Sequence, residues 1–130
     1  MVWMTGVPSG SNLNNHFNKP TTGELTFVDC SNTVINNLGQ TGVVTHTLPA
    51  ATHGLAFLAI ISATGNAIHF KPASGGIIYL DGVALDANHK VSLATPAVAN
   101  SALFFCFQTG TSTWVWYCNS IGGTWTDGAE

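Results

Sequence analysis

Five histidines, three cysteines and six carboxylates are the side chains here whose types could carry chemistry, so their spacing comes first. The histidines are His16, His46, His53, His69 and His89. Metal ligands usually come as local pairs a few residues apart, and no such pair occurs, so no metal is expected. His46 and His69 fall within alternating apolar and polar runs, and His53 and His89 fall at turns. These are ordinary polar positions; the one metal arrangement they leave open is a symmetric site with one His from each subunit. The acids Glu24, Asp29, Asp81, Asp86, Asp127 and Glu130 are scattered. Glycoside hydrolysis needs two carboxylates facing each other at about 5–9.5 Å, and no pairing suggests it. Asp81 already has a structural task, since Asp81-Gly82 is a turn dipeptide.

No serine or cysteine sits in a nucleophile elbow, and no oxyanion-hole glycine motif accompanies one. Gly75-Gly76 after Ser74 reads as a turn in preference to a phosphate cradle. Cys30, Cys106 and Cys118 form an odd set without Cys-x-x-Cys spacing, which suits packed, reduced thiols. No catalytic residue and no cofactor is therefore expected. The tryptophans carry more information, because exposed Trp and Tyr serve as interface anchors or sugar platforms. Trp125, in Gly122-Gly-Thr-Trp-Thr-Asp-Gly128, lies past the last convincing strand and reads as an interface residue. Trp114 and Trp116 read as core.

The elements that must position these residues are short. From Glu24 onward, apolar runs alternate with turn signals: Leu25–Val28, Val43–Leu48, Leu55–Ile61, Ala67–Lys71, Ile77–Leu80, Val83–Leu85, Val91–Leu93, Ala102–Phe107 and Trp114–Tyr117. No sustained 3.6-residue period appears. Leu55-Ala-Phe-Leu-Ala-Ile-Ile61 is apolar on both faces and must be buried from both sides, which makes Leu58 and Ile60 candidates for a subunit interface. Asp81-Gly82 predicts a type I′ hairpin. If Thr109–Ser112 closes a second hairpin, Gln108 faces Thr113, Phe107 faces Trp114, Phe105 faces Trp116 and Leu103 faces Cys118. Cys106 then lies on the opposite face from Cys118, so no disulfide joins them. Thr47-Leu-Pro-Ala-Ala followed by Gly54-Leu-Ala-Phe echoes Ser92-Leu-Ala-Thr-Pro-Ala followed by Ala102-Leu-Phe-Phe, as two similar corners of one fold. The expected architecture is all-β: a compact antiparallel β-sandwich, jelly-roll-like, over residues 21–130. Residues 1–20 form an extended N-terminal arm, with Trp3 and Phe17 as its anchors on a shell or a neighbour.

Composition sets the surroundings. The chain is 130 residues with 45% hydrophobic residues, enough for one domain with a real core. Only 7% are charged, against about 25% in an ordinary soluble domain. With a formal net charge of -3, repulsion between copies is weak and association is tolerated. The basic residues are Lys19, Lys71 and Lys90, with no arginine, which argues against nucleic acid and against an anionic membrane surface as partners. No apolar run approaches the ~20 residues of a membrane span, and the N-terminus lacks the pattern of a secretory signal. The opening Met suggests a small reading frame made in a cytoplasm.

The order Thr47-Leu-Pro-Ala-Ala, Gly54-Leu-Ala-Phe, Ala67-Ile-His-Phe-Lys-Pro, Gly75-Gly-Ile-Ile-Tyr-Leu-Asp-Gly, then Thr113-Trp-Val-Trp and Gly123-Thr-Trp resembles small β-modules of tailed-bacteriophage virions. These occur in head decoration (cement) proteins and in tail fibres and spikes, commonly as trimers. The resemblance spans about Glu24 to Trp125 and carries no catalytic residue. It implies a virion structural protein made in the host cytoplasm, foremost a capsid decoration protein that trimerises and binds the major capsid protein of the head. The other role it implies is a tail fibre or spike module in which Tyr79 or Trp125 stacks on a host cell-surface glycan.

Overall fold

A computed structural model describes residues 15–130 as a sandwich of two β-sheets, with no helix among the described residues. Asn15–Asn18 (β1), Ser31–Asn36 (β3), Ala56–Ile60 (β5), Ile78–Leu80 (β7), Val83–Ala84 (β8), Ser101–Gly110 (β10) and Thr113–Gly122 (β11) build the larger sheet. Its spatial order is β1-β3-β5-β10-β11-β7-β8. Gly23–Glu24 (β2), Val44–Thr47 (β4), Ile68–Lys71 (β6), Val91–Leu93 (β9) and Trp125–Asp127 (β12) build the smaller, in the order β12-β9-β6-β4-β2.

The sandwich expected from the sequence is present, but its sheets are mixed where antiparallel ones were expected. The first six strands alternate between sheets, so β1, β3 and β5 run parallel in one, and β2, β4 and β6 run parallel in the other. Turn residues mark where the chain bends; they do not distinguish a hairpin within a sheet from an arch across to the other. The two echoing segments are both such arches: β4 crosses to β5 and β9 crosses to β10, and β5 and β10 then pair antiparallel. The predicted hairpin at Asp81-Gly82 is observed, with φ of 49° and 94° at its two central residues, the sign that type I′ requires.

Three local expectations change. Leu25–Val28 is not a strand. Thr26 N–H donates to Asp29 Oδ2 at 2.9 Å and Asp29 N–H donates to Thr26 Oγ1 at 3.1 Å, a reciprocal pair that closes a turn. The strand of that region is β3, whose Thr33 and Ile35 are buried. Residues 15–18 belong to the sandwich and not to an arm, as an edge strand parallel to β3. Within it Phe17 is half-buried, with Lys19 Nζ 5.6 Å from its ring centre. Trp3 lies outside the described residues. Finally, the long hairpin is set one residue from the expected register: Gln108 pairs with Trp114, Cys106 with Trp116 and Phe104 with Cys118, with an irregularity between Gln108 and Gly110.

The core is aromatic and bridges the sheets. Phe57 and Phe104 stack at 4.8 Å and 5° from the larger sheet, and Phe70 of the smaller lies 4.7 Å from Phe104. Trp116 and Trp125 pack edge-on or tilted around these rings. One end of the sandwich is closed by polar side chains. The fully buried Asn37 accepts from Ser62 N–H at 2.8 Å and Ala63 N–H at 3.0 Å, and donates to Gln40 Oε1 at 2.8 Å. Gln40 in turn donates to the carbonyls of Gly42 and Ala67, so two loops share one satisfied network.

His46 is the buried histidine of the core, 1% exposed and 5.3 Å from the Phe70 ring. Burial pushes its pKa down to about 4, opposed by a hydrogen bond to the Lys19 main chain and by the Asp29 charge. His69 moves in the same direction through burial and the nearby Lys90. A histidine kept neutral in the fold but free to protonate when unfolded contributes stability that is complete above pH ~6.5. That contribution falls with pH until the folded pKa is reached. Urea unfolding of the wild type is therefore expected to lose about 2–3 kcal/mol between pH 7.5 and 4.5 on account of His46. The loss should shrink by about that amount in His46→Leu; an equal loss in both proteins would refute the assignment.

Candidate functional site

Strands alternate their side chains between faces, so the inward set fixes the outward set. On β5 the inward residues are Phe57 and Ala59, which leaves Ala56, Leu58 and Ile60 outward, each half-buried. On β10, Ala102 and Phe104 point into the core, and Leu103, Phe105 and Phe107 point out. On β11, Trp116 and Cys118 point in and Tyr117 points out beside Tyr79 of β7. Leu58 lies between Val34 of β3 and Leu103 of β10 in one row.

The outward aromatics form their own cluster. Phe105 and Tyr117 stack at 5.1 Å and 18°, Phe107 meets Tyr117 edge-on at 5.9 Å, and Tyr79 meets Phe107 edge-on at 5.4 Å. No Asp, Glu, Lys or Arg occupies an outward position of β3, β5, β10 or β11. Among the described residues no third sheet lies over this face. Five strands at their usual spacing, over about five residues each, give this face a footprint of roughly 400 Å². Its side chains are half-buried against one another, and an uncharged sheet face of this extent is a candidate interaction surface.

Of the residues singled out from the sequence, Leu58, Ile60 and Tyr79 thus come together on this face. Trp125 does not. It is 6% exposed, packs on Phe70 and Phe104, and donates its indole N–H to the Gly122 carbonyl at 3.0 Å. The interface and glycan-stacking roles expected of it are corrected accordingly: β12 is an edge strand of the smaller sheet that carries Trp125 into the core. Val34, Leu103, Phe105, Phe107 and Tyr117 are the members of the face that sequence reading did not assign to it. Phe105 was placed with Trp116 by the shifted register; its true partner is Tyr117. The two-sided apolarity of β10, Ala-Leu-Phe-Phe-Cys-Phe, was the signal available.

Among the described residues, no group of three or more His, Cys, Asp or Glu lies close enough to hold a metal ion. His16 meets Asn36, His53 lies edge-on to Trp114, and His89 lies 3.0 Å from Asp127. Lys19 pairs with Asp29 at 3.2 Å. Burial alone would raise the Asp29 pKa, but the Thr26 amide and the Lys19 ammonium outweigh it and hold the carboxyl below its usual range. The thiols are free. Cys106 and Cys118 share the inward face, where the expected register had separated them. Burial pushes Cys106 up to about 11, and Cys30 and Cys118 higher still, so none is a nucleophile at neutral pH. Titration of the folded protein with Ellman's reagent should leave Cys30 and Cys118 unreacted and Cys106 slow, with all three reacting in urea. Prompt reaction of Cys30 or Cys118 in the folded state would show that this packing is wrong.

Compared with protein-family models, with curated proteins and with solved structures, the chain has no significant match.

Proposed function

We propose that this protein is a virion structural subunit of a tailed bacteriophage. In this reading it is a capsid decoration protein that associates as a homotrimer and stabilises the head shell by binding the major capsid protein. The observation that carries it is the uncharged outer face of the larger sheet around Leu58, Phe105 and Tyr117. A sheet face this apolar gains free energy when covered, at about 25 cal/mol per Å² of apolar surface removed from water. Copies of the same chain are the commonest cover for such a face. The scarcity of charge, 7% of residues, supports the same reading, because few ion-hydration costs oppose contact on several sides at once. The assignment to a phage head rests on the motif resemblance, and stabilisation of a shell needs only added buried area at subunit junctions, without a catalytic group.

Sedimentation at micromolar concentration is expected to give a trimer. Leu58→Arg, which places a charge at the centre of the face, should shift it to monomer while the isolated domain keeps its β-sheet circular dichroism. A wild-type monomer under these conditions counts decisively against the proposal. Electron microscopy of purified particles then decides location: density on the head lattice is expected, and density confined to the tail tip would replace the head role by that of a fibre or spike module.

A further inference from the structure

Strands β1, β3, β5 and β11 run in one direction, since β1, β3 and β5 are parallel and two antiparallel steps lead from β5 to β11. All four therefore begin at the same end of the sandwich, the end crossed by the β2–β3 and β4–β5 arches. Two apolar features stand open there. The first is in the β2–β3 turn, where Phe27 and Val28 are 54% and 65% exposed. That turn is pinned. Besides the Thr26–Asp29 pair, the Ser31 hydroxyl donates to the Phe27 carbonyl, the Thr33 hydroxyl to the Asp29 carbonyl, and Lys19 holds the Asp29 carboxylate. Its polar groups are satisfied while its two large apolar side chains are held in water.

The second feature is a cleft of about 320 Å³ between the tip of the β10–β11 hairpin and the loop 72–77. Half-exposed Trp114 forms one wall and is backed on its other side by His53, edge-on at 5.6 Å. Trp116 lies deeper, its indole N–H already donated to the Pro49 carbonyl at 2.9 Å. The opposite wall is made of small residues, Ala73 and Gly76 among them, and a Cβ on Gly76 would lie 2.9 Å from the Ala73 carbonyl oxygen. No charged side chain lines the cleft. An aromatic wall facing small residues is a slot for a flat apolar group.

Residues 1–14 carry no charged side chain and contain Trp3, Val7, Pro8 and Leu13. They join the described chain at Asn15, where β1 begins, and so at this same end. Asn15, Thr33, Phe57, Phe104 and Cys118 form one row across the larger sheet. Trp114 is four strand spacings across from Asn15 and four residues further along, a separation of roughly 23 Å. Trp3 precedes Asn15 by twelve residues, a reach of roughly 40 Å when extended. The path crosses Phe27 and Val28, because β3 is the strand beside β1.

We propose that residues 1–14 dock across the arch end of their own molecule, covering Phe27 and Val28 and seating Trp3 in the cleft against Trp114. A tethered segment meets its site at an effective concentration of order mM, so at micromolar protein it displaces the same segment of a second copy. The outer face of the larger sheet takes no part, so this docking is independent of the assembly reading.

The test is fluorine NMR of the full chain labelled with 5-fluorotryptophan, which gives four resonances, that of Trp3 being identified by its loss in Trp3→Phe. In the folded protein the Trp3 resonance is expected to be displaced from its position in concentrated urea. Ser112→Tyr, on the exposed hairpin tip at the mouth of the cleft, should return it to the unfolded position while the Trp116 and Trp125 resonances stay. Replacing both Phe27 and Val28 by Ser should move it the same way, and decides the matter should Ser112→Tyr not fold. In Leu58→Arg, which removes association through the outer face, the displacement should persist on tenfold dilution. A Trp3 resonance at the unfolded position in wild type, or unmoved in the folded Ser112→Tyr or double-Ser protein, overturns the proposal. Reversion in Leu58→Arg or on dilution also overturns it, by showing that the segment docks on a neighbour.

Discussion

The stack of Phe57 on Phe104, closed from the other sheet by Phe70, is the contact on which the rest of the molecule depends. Aromatic pairs add to burial a preference for particular offsets and angles, so they fix registry as well as contributing stability. Once Phe57 and Phe104 are opposite each other and inward, the pleat leaves no choice for their neighbours. Leu58, Leu103 and Phe105 must point out, however apolar they are. The interior therefore dictates the exterior: an apolar outer face follows from placing a strand that is apolar at every position into a two-layer fold.

How much of this was legible in the sequence depended on whether the information was local. The Asp81-Gly82 turn was legible because positive φ at two successive positions is a property of that dipeptide. The two-sided character of Leu55–Ile61 was legible because it needs only a count of apolar residues. The register of the long hairpin was not, since an irregularity near its tip between Gln108 and Gly110 moves every pair by one, and no single residue announces it. β3 was hidden because Asn36 and Asn37 look like turn residues; Asn37 is instead buried, its amide satisfied by loops some 25 residues away in sequence. Trp125 was misplaced for a related reason. A three-residue edge strand flanked by Gly and Thr has too little pattern to show that its tryptophan completes a core.

The charges are few, and their placement is correspondingly uneven. Lys19 with Asp29 ties β1's exit to the turn before β3, and His89 with Asp127 ties the last strand to the loop before β9. The larger sheet's outer face receives none in its central strands. The outer side of the smaller sheet, where β2, β4 and β6 meet loop 72–77, carries Glu24 and Lys71, with Glu130 beside them. With this division one domain presents two chemically different surfaces: one disposed to lose water against another apolar face, the other charged and hydrated.

Trp125 reaches the core from a strand only three residues from the end of the described chain. Its neighbours in the cluster, Phe70 and Phe104, come from residues made far earlier. β5 likewise waits some forty residues of synthesis for its partner β10. On a ribosome adding residues one at a time, the larger sheet cannot close before Gly122 has emerged nor the smaller before Asp127, and contacts so distant in sequence form slowly. The interior consequently stays unfinished until residues 125–127 are available, and a chain without them leaves Phe70 and Phe104 uncovered where Trp125 would pack.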